Sequence, residues 1–261
     1  MSTTSLRSAL LFSTTVLTAS LLSAQVDMSK LLQGQMGPGG AQVEVDDSPF
    51  EPNTFIGSFR MEIHSYKGEK EEKGSPMNMR YTSAEDKTLM DLGQPDMKEQ
   101  MKVLYDLKEK QQYMLMTDDK GKKMAMKSPL MKVTVESPEE KNVPDMQMTD
   151  ETKMIEGHLC QKMVGTTEDG TFVGWMAKDM NYPFAEMMKR VRQKGQNDHS
   201  STFTGMYGFP LEYEWTDKSG KERVVCYIRD LKLGSVDEAA FSLKGYEVME
   251  MPMMPGMPMG R

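Results

Sequence analysis

The sequence has 261 residues, of which 38% are hydrophobic, and a formal net charge of −7 at pH 7. This length is sufficient for one sizeable domain or two small ones. An acidic chain without a basic cluster has no electrostatic reason to bind nucleic acid or anionic lipid headgroups. Both are therefore excluded as expected partners.

The first 24 residues have the features of a cleaved secretory signal peptide. A single cation, Arg7, precedes the uncharged run SALLFSTTVLTASLL, and the small residue Ala24 suits signal peptidase. The run is rich in serine and threonine and shorter than the roughly 20 apolar residues that cross a bilayer, so no transmembrane segment is predicted. We expect cleavage near Ala24, a periplasmic or extracellular protein, and a flexible linker over residues 25–52.

Alternating apolar and polar side chains predict a β fold over residues 53–248. In SFRMEIHSY, the residues Phe59, Met61 and Ile63 share one face of a strand, and polar residues occupy the other face. Similar runs flank polar turns such as SAEDK and DKSGK, which is typical of hairpins. We predict a mainly β fold, an antiparallel open half-barrel of about ten strands. The stretch ESPEEKNVPDMQMTD, residues 136–150, is predicted to connect two halves of the sheet.

One amphipathic helix is predicted in PFAEMMKRVRQKG. Pro183 suits its first position, Gly195 suits its end, and the apolar residues between them have i, i+3, i+4, i+7 spacing. This stripe consists of Phe184, Met187, Met188 and Val191. We expect the helix to cover the open side of the half-barrel, with the stripe acting as a lid over a ligand. The spacing of Ser235 and Glu238 predicts one further helical turn.

The two cysteines, Cys160 and Cys226, leave two interpretations open. In an exported chain they are able to form a disulfide that closes a loop of about 65 residues and contributes on the order of 4 kcal/mol. The alternative is two buried thiols on separate strands, because spacing along a sequence does not determine geometry.

Three stretches resemble an exported bacterial family known as domain of unknown function 4412: FIGSFRMEI, IEGHLCQKMVGTTEDGTFVGWMAKDM and AAFSLKGYEV. The second stretch contains the strand around Gly157 and Cys160, a turn at Gly170 and a strand with Trp175. Members of that family resemble the LolA/LolB-like lipoprotein-carrier half-barrels of the periplasm, whose concave apolar face takes up acyl chains. The resemblance implies this fold and a hydrophobic partner such as a lipoprotein acyl chain, and it implies no catalytic residues.

Methionine is unusually frequent, with 29 residues, and it occupies strand positions where leucine is usual. The first interpretation is ordinary core packing. The second is a deformable lining for an acyl chain or a peptide, because thioether side chains adapt to irregular shapes. The strand methionines in question are Met61, Met77, Met79, Met114, Met116, Met154 and Met176.

The chain ends in MEMPMMPGMPMGR, residues 249–261, which is rich in methionine and proline. We predict a disordered tail. The alternative is a copper(I) or silver(I) site, since thioethers prefer soft metal ions. The ligands of this alternative site would be Met251, Met253, Met254, Met257 and Met259.

The sequence contains no HxxxH, CxxC, GxSxG or phosphate-binding glycine loop. His158 and Cys160 lie two residues apart on a predicted strand, a spacing that allows half a metal site or a Cys–His pair but more often has a structural role. We therefore predict a non-catalytic binding or carrier protein for a hydrophobic ligand in the cell envelope, without a cofactor. The alternatives are a protein that handles copper(I) or silver(I) through the methionine-rich tail, and a structural or protein-binding module without a small ligand.

Overall fold

The protein is described from a computed structural model, in which strands account for most of the described chain. The described residues are 42–93, 101–118, 120–134, 145–166, 170–182, 184, 187 and 208–251. These residues include no helical segment with the length and hydrophobicity of a membrane span.

Fifteen strands occur in the described residues. They are β1 Gln42–Val45, β2 Gly57–Lys67, β3 Lys70–Glu71, β4 Met77–Ser83, β5 Lys87–Gly93, β6 Met101–Asp106, β7 Gln111–Thr117, β8 Lys123–Pro129, β9 Met131–Thr134, β10 Asp145–Ile155, β11 His158–Thr166, β12 Gly170–Ala177, β13 Phe209–Asp217, β14 Glu222–Leu233 and β15 Glu247–Glu250. One 3₁₀ turn, Glu238–Phe241, precedes the last strand.

Thirteen of these strands form one large sheet, and β1 and β9 form a small one. The order across the large sheet is β10-β11-β12-β13-β14-β2-β4-β5-β6-β7-β8-β15, with β3 paired to β2. Its pairs are antiparallel except for β15, which lies parallel to β8. Among the described strands, β10 and β15 at the two ends do not pair with each other, so the sheet is open. The predictions of a mainly β fold and an open sheet are confirmed, while the curvature of a half-barrel stays a prediction.

The sheet consists of two meanders that meet where β14 pairs with β2. This pairing runs from Glu222 opposite Lys67 to Leu233 opposite Gly57. Gly57 has a φ of +147°, and a Cβ atom there would lie 2.2 Å from the carbonyl oxygen of Lys232. Only glycine allows the two backbones to approach this closely.

One face of the sheet carries the main core, and we call it the aromatic face. Its centre is a cluster of rings, in which Phe59 stacks on Tyr81 at 5.1 Å between centroids and Phe55 stacks on Phe209 at 5.9 Å. Phe55, Phe59 and Phe209 are each no more than 1% exposed. Aromatic pairs at these distances stabilise a core beyond the area that they bury.

The opposite face is apolar across β5 to β8. Leu89, Leu104, Leu115 and Ala125 lie on this side, and Phe241 of the 3₁₀ turn packs against them. All five are buried. The C-terminal segment therefore covers this part of the opposite face before it adds β15 to the edge of the sheet.

The predicted number of about ten strands is wrong, because the large sheet has thirteen. Part of the difference lies in residues 136–150, predicted as a connection, of which residues 145–150 begin β10. Acidic residues are tolerated there because β10 is an edge strand with one side unpaired. Within the predicted linker, Gln42–Val45 form β1.

The prediction of one covering helix is wrong for the described residues, which contain no helix that covers the sheet. Of the predicted stripe, Phe184 and Met187 are described, and both have helical backbone conformation and are buried. Met188 and Val191 lie outside the described residues. Phe184 and Met187 pack against the ring cluster at the centre of the aromatic face.

Candidate functional site

Six methionines lie side by side on β6, β7, β8 and β15. They form two rows in cross-strand register, Met101–Met116–Met124 and Met114–Met126–Met249. We call these six residues the methionine grid. Directly opposed residues in a sheet have Cβ atoms about 5 Å apart, and residues two apart on one strand are about 7 Å apart. Neighbouring thioethers of the grid are therefore close enough to contact the same ligand.

Register shows that the grid belongs to the aromatic face. Tyr81 pairs with Met90, and Met90 pairs with Val103. Val103 in turn pairs with Met114 of the grid. Since directly paired residues point to the same side of a sheet, the grid continues the aromatic face toward β15.

The grid is half-buried. Met249 is 39% exposed, and the other five methionines have intermediate exposure. None of the six belongs to either of the two core clusters of the described residues. On the opposite face of the same strands, Leu104, Leu115 and Ala125 are at most 4% exposed. In the part of the chain that the structure describes, these strands therefore have one buried face and one apolar face that is partly exposed.

The two predicted lid residues that the structure describes are part of the packed core beside the grid. The ring of Phe184 lies 5.1 Å from that of Phe209 and 6.3 Å from that of Tyr213. Met187 is 7% exposed and belongs to the same cluster. The structure brings these two residues together on the aromatic face, and the role of the stripe as a lid stays a prediction.

A second candidate is a cleft of about 420 Å³ beside the edge strand β10. Its lining residues are Met148, Gln161, Lys178, Asn181 and Gly208. The amide nitrogen of Gln161 donates to the carbonyl oxygen of Thr149. The amide oxygen of Gln161 is buried and has no hydrogen-bond partner among the described residues. The unpaired amide oxygen favours a ligand that carries a hydrogen-bond donor, because burying this oxygen against a hydrocarbon costs free energy.

Cys160 and Cys226 are free thiols in the structure, and both are buried. They lie on β11 and β14, with β12 and β13 between them. At about 4.8 Å per strand this separation is about 14 Å, which is too far for a disulfide. Burial raises the pKa of Cys160 to about 11 and that of Cys226 to about 12. The structure thus shows the second interpretation, two buried thiols on separate strands.

His158 and Cys160 do not form a Cys–His pair. The Nδ1 atom of His158 lies 2.8 Å from a carboxylate oxygen of Asp179. The thiol of Cys160 donates to the backbone carbonyl oxygen of His158 at 3.6 Å and not to the imidazole ring. In the described part of the chain, no group of three His, Cys, Asp or Glu side chains is arranged to hold a metal ion.

Of the predicted site in the tail, the structure describes only Met251. Its backbone nitrogen donates to the carbonyl oxygen of Lys127 at 2.8 Å, which continues the pairing of β15 with β8. Met253, Met254, Met257 and Met259 lie outside the described residues. The tail that was predicted to begin at residue 249 therefore begins as a strand.

The sequence indicated Met114 and Met116 as strand methionines, but it did not predict that they form a site with the other four. The signal in the sequence was the M-x-M pattern in two successive strands, QQYMLMT and KMAMKSP. When two such strands form a hairpin, its register determines whether their methionines lie opposite each other. That register was not derivable from the alternation alone.

No protein-family model matches the chain, and no curated protein matches it. Several solved structures are similar in part. A structure of PNGF-II has 14% sequence identity and a TM-score of 0.33, over 75% of this chain and 32% of that one. The chain thus spans about one third of the length of that protein.

Two further structures are a putative outer membrane lipoprotein-sorting protein domain from Vibrio parahaemolyticus and a DUF1329 family protein from Desulfovibrio piger ATCC 29098. The first has 9% identity and a TM-score of 0.29, over 72% of this chain and 91% of that one. The second has 9% identity and a TM-score of 0.22, over 84% of this chain and 97% of that one. Likenesses this weak do not establish a family, and membership of domain of unknown function 4412 stays a prediction.

Proposed function

We propose that the protein is a non-catalytic binding or carrier protein for a hydrophobic, acyl-like ligand in the cell envelope. The observation that supports this most directly is the methionine grid, an apolar surface that is half-exposed and lies outside both core clusters. Methionine side chains are unbranched and flexible, so they adapt to a ligand that has no fixed shape. The envelope location rests on the signal peptide predicted at residues 1–24.

The size of the grid suits one acyl chain. It extends over four strands, which is about 14 Å at about 4.8 Å per strand. Burial of each methylene contributes about 0.8 kcal/mol, so about ten methylenes would contribute about 8 kcal/mol before the cost of immobilising the ligand. The upper limit on affinity is therefore a dissociation constant of about 1 μM.

The test is uptake of a fluorescent fatty-acid probe by the full chain, followed by titration. Met126→Glu places a carboxylate in the middle of the grid, and we expect it to weaken probe binding at least tenfold, because the charge would have to be desolvated by the ligand. Met154→Glu is the matched control, since Met154 is 63% exposed on β10 and lies outside the grid. It should leave probe binding unchanged.

Circular dichroism of each variant verifies that the fold is retained. Met187→Glu is a poorer test, because Met187 is buried in the core and a charge there is expected to unfold the protein. Absence of probe binding by the folded parent protein at concentrations well above the micromolar range would contradict the proposal. It would favour a structural or protein-binding module, for which the filled centre of the aromatic face is the supporting observation.

A further inference from the structure

We infer that the methionine grid also binds one soft monovalent cation, copper(I), in the square formed by Met114, Met116, Met124 and Met126. This site goes beyond the proposed uptake of an apolar ligand. It also differs from the site predicted in the tail, because all four residues lie on two paired strands, β7 and β8.

The strand register arranges the Cβ atoms of the four methionines around one point. Met114 is directly opposite Met126, and Met116 is directly opposite Met124. The sides of the square are about 5 Å across the strands and about 7 Å along them, so each Cβ atom lies about 4 Å from the centre. A methionine side chain has three rotatable bonds, which allows its sulfur to turn toward that centre.

The ligand type selects the ion. Neutral thioether sulfur is a soft ligand that prefers copper(I) to hard or borderline cations such as magnesium and zinc. The setting favours a single charge as well, since desolvation of an ion in a half-buried apolar site costs more as its charge rises. No competing three-residue cluster of His, Cys, Asp or Glu occurs in the described residues.

The surroundings of the square supply further sulfur atoms. Met101 is paired with Met116 on one side, and Met249 is paired with Met126 on the other. Because these two methionines continue the rows, an ion in the square has a neighbouring thioether toward β6 and another at the edge strand β15. Met101 has intermediate exposure, and Met249 is 39% exposed. This arrangement suits exchange of the ion with an incoming sulfur ligand.

The pre-formed strands distinguish this site from a flexible one. Strand pairing already orders the backbone of all four residues, so binding costs the entropy of the side chains alone. A site in a flexible segment would have to order its backbone as well, at about 1–2 kcal/mol per residue.

The test is a copper(I) titration of the full chain under anaerobic, reducing conditions, in competition with the chromophoric chelator bicinchoninate. We expect one copper(I) ion per chain. The double variant Met114→Leu/Met126→Leu removes two sulfurs while it keeps volume and apolar character. It should weaken copper(I) binding at least tenfold. The control is Met146→Leu/Met154→Leu, which changes two methionines of β10 that lie outside the grid and the cleft and should leave binding unchanged.

Two further arms separate this inference from its rivals. Removal of residues 252–261 should leave the stoichiometry and affinity unchanged, and loss of binding on that truncation would place the site in the tail and overturn the inference. The leucine double variant should still take up the fatty-acid probe, because the grid remains apolar. Failure of the probe test thus leaves the copper test standing, whereas undiminished copper(I) binding by the leucine variant, or no binding by the parent, overturns the copper site.

Discussion

At the scale of single residues, His64 is held between two carboxylates. Its Nδ1 atom lies 2.7 Å from Glu71, and its Nε2 atom lies 2.9 Å from Glu62. Partial burial opposes the charge on the ring, but the hydrogen bonds to Glu62 and Glu71 outweigh it and raise the pKa of His64. The pKa of Glu62 is lowered, chiefly by its hydrogen bond with His64. Both ring nitrogens therefore have acceptors that favour the imidazolium.

This arrangement predicts a pH-dependent contribution to stability. Because the pKa of His64 is raised in the folded state, its contribution is fully present below the unfolded pKa of about 6.5 and is lost as the pH rises through the folded pKa. We expect His64→Gln to lower the free energy of unfolding by at most about 1 kcal/mol at about pH 5.5, since solvent screens the pair, and by less at about pH 8.5. Urea unfolding at the two pH values measures this. An equal loss at both would contradict it.

The two thiols provide a second prediction for single residues. Cys160 and Cys226 are each 0% exposed, and burial raises both pKa values far above neutrality. We expect iodoacetamide at about pH 8 to leave the native protein unmodified and to alkylate both thiols after unfolding in guanidinium, because the thiolate is the reactive form. Mass spectrometry counts the added groups. Rapid labelling of one thiol in the folded protein would show that a cysteine is accessible.

At the scale of elements, the C-terminal segment closes the opposite face over β5 to β8. The carboxylate of Asp237 caps the 3₁₀ turn by accepting from the backbone nitrogen of Ala239 at 2.9 Å. The sequence predicted a turn here with Ser235 as the cap, and the structure has Asp237 in that role. Ion pairs of Lys122 with Glu247 at 2.9 Å and of Lys127 with Glu250 at 3.2 Å then join β15 to β8.

Phe241 is the apolar anchor of this segment, at 5% exposure. We expect Phe241→Ala to lower the free energy of unfolding by about 3–5 kcal/mol, because it removes a buried ring and leaves a cavity against β5 to β8. Val248→Ala is the control, since Val248 is 47% exposed on β15 and should change stability by no more than about 0.5 kcal/mol. Urea unfolding monitored by circular dichroism compares the two. Similar losses for both variants would show that the segment is not anchored by Phe241.

The strands that were predictable from the sequence are those with one buried face. β2 shows this, because Phe59 and Met61 are buried while Arg60 and Glu62 between them are partly exposed. β15 gave no such pattern, since all four of its residues are exposed and it is held by edge pairing to β8. The acidic start of β10 was obscured for the same reason. Alternation of apolar and polar residues indicates that one face of a strand is buried. An edge strand is able to form without a buried face.

The candidate site was predictable in its chemistry and not in its position. An apolar lining rich in methionine was one of two interpretations, and Met61, Met79 and Met176 are instead packed core residues, at no more than 2% exposure. Whether a strand methionine is core or open surface depends on what covers its face of the sheet. That covering is set by contacts between distant parts of the chain, which periodicity does not contain.

At the scale of the whole molecule, the middle of the sheet is built from distant parts of the chain. β2 and β14 are neighbours there. The Nε atom of Arg60 in β2 donates a hydrogen bond to a carboxylate oxygen of Asp230 in β14 at 2.9 Å, although the two residues are 170 positions apart. On either side most neighbouring strands are joined as local hairpins; the exceptions are β12 with β13, which are connected by residues 178–208, and β15, which pairs with the distant β8. Loop closure over so long a separation is entropically unfavourable. The local hairpins are therefore expected to form early, and the pairing of β2 with β14 late.

A nascent chain that stops before residue 222 lacks β14, and its two meanders would each present an unsatisfied rim of backbone amides and carbonyls. Such a fragment contains the sequences of the other long strands, but β13 and β2 lack the strand that pairs with both of them. Because the last long strand lies in the middle of the sheet, incomplete chains are expected to aggregate or to be degraded.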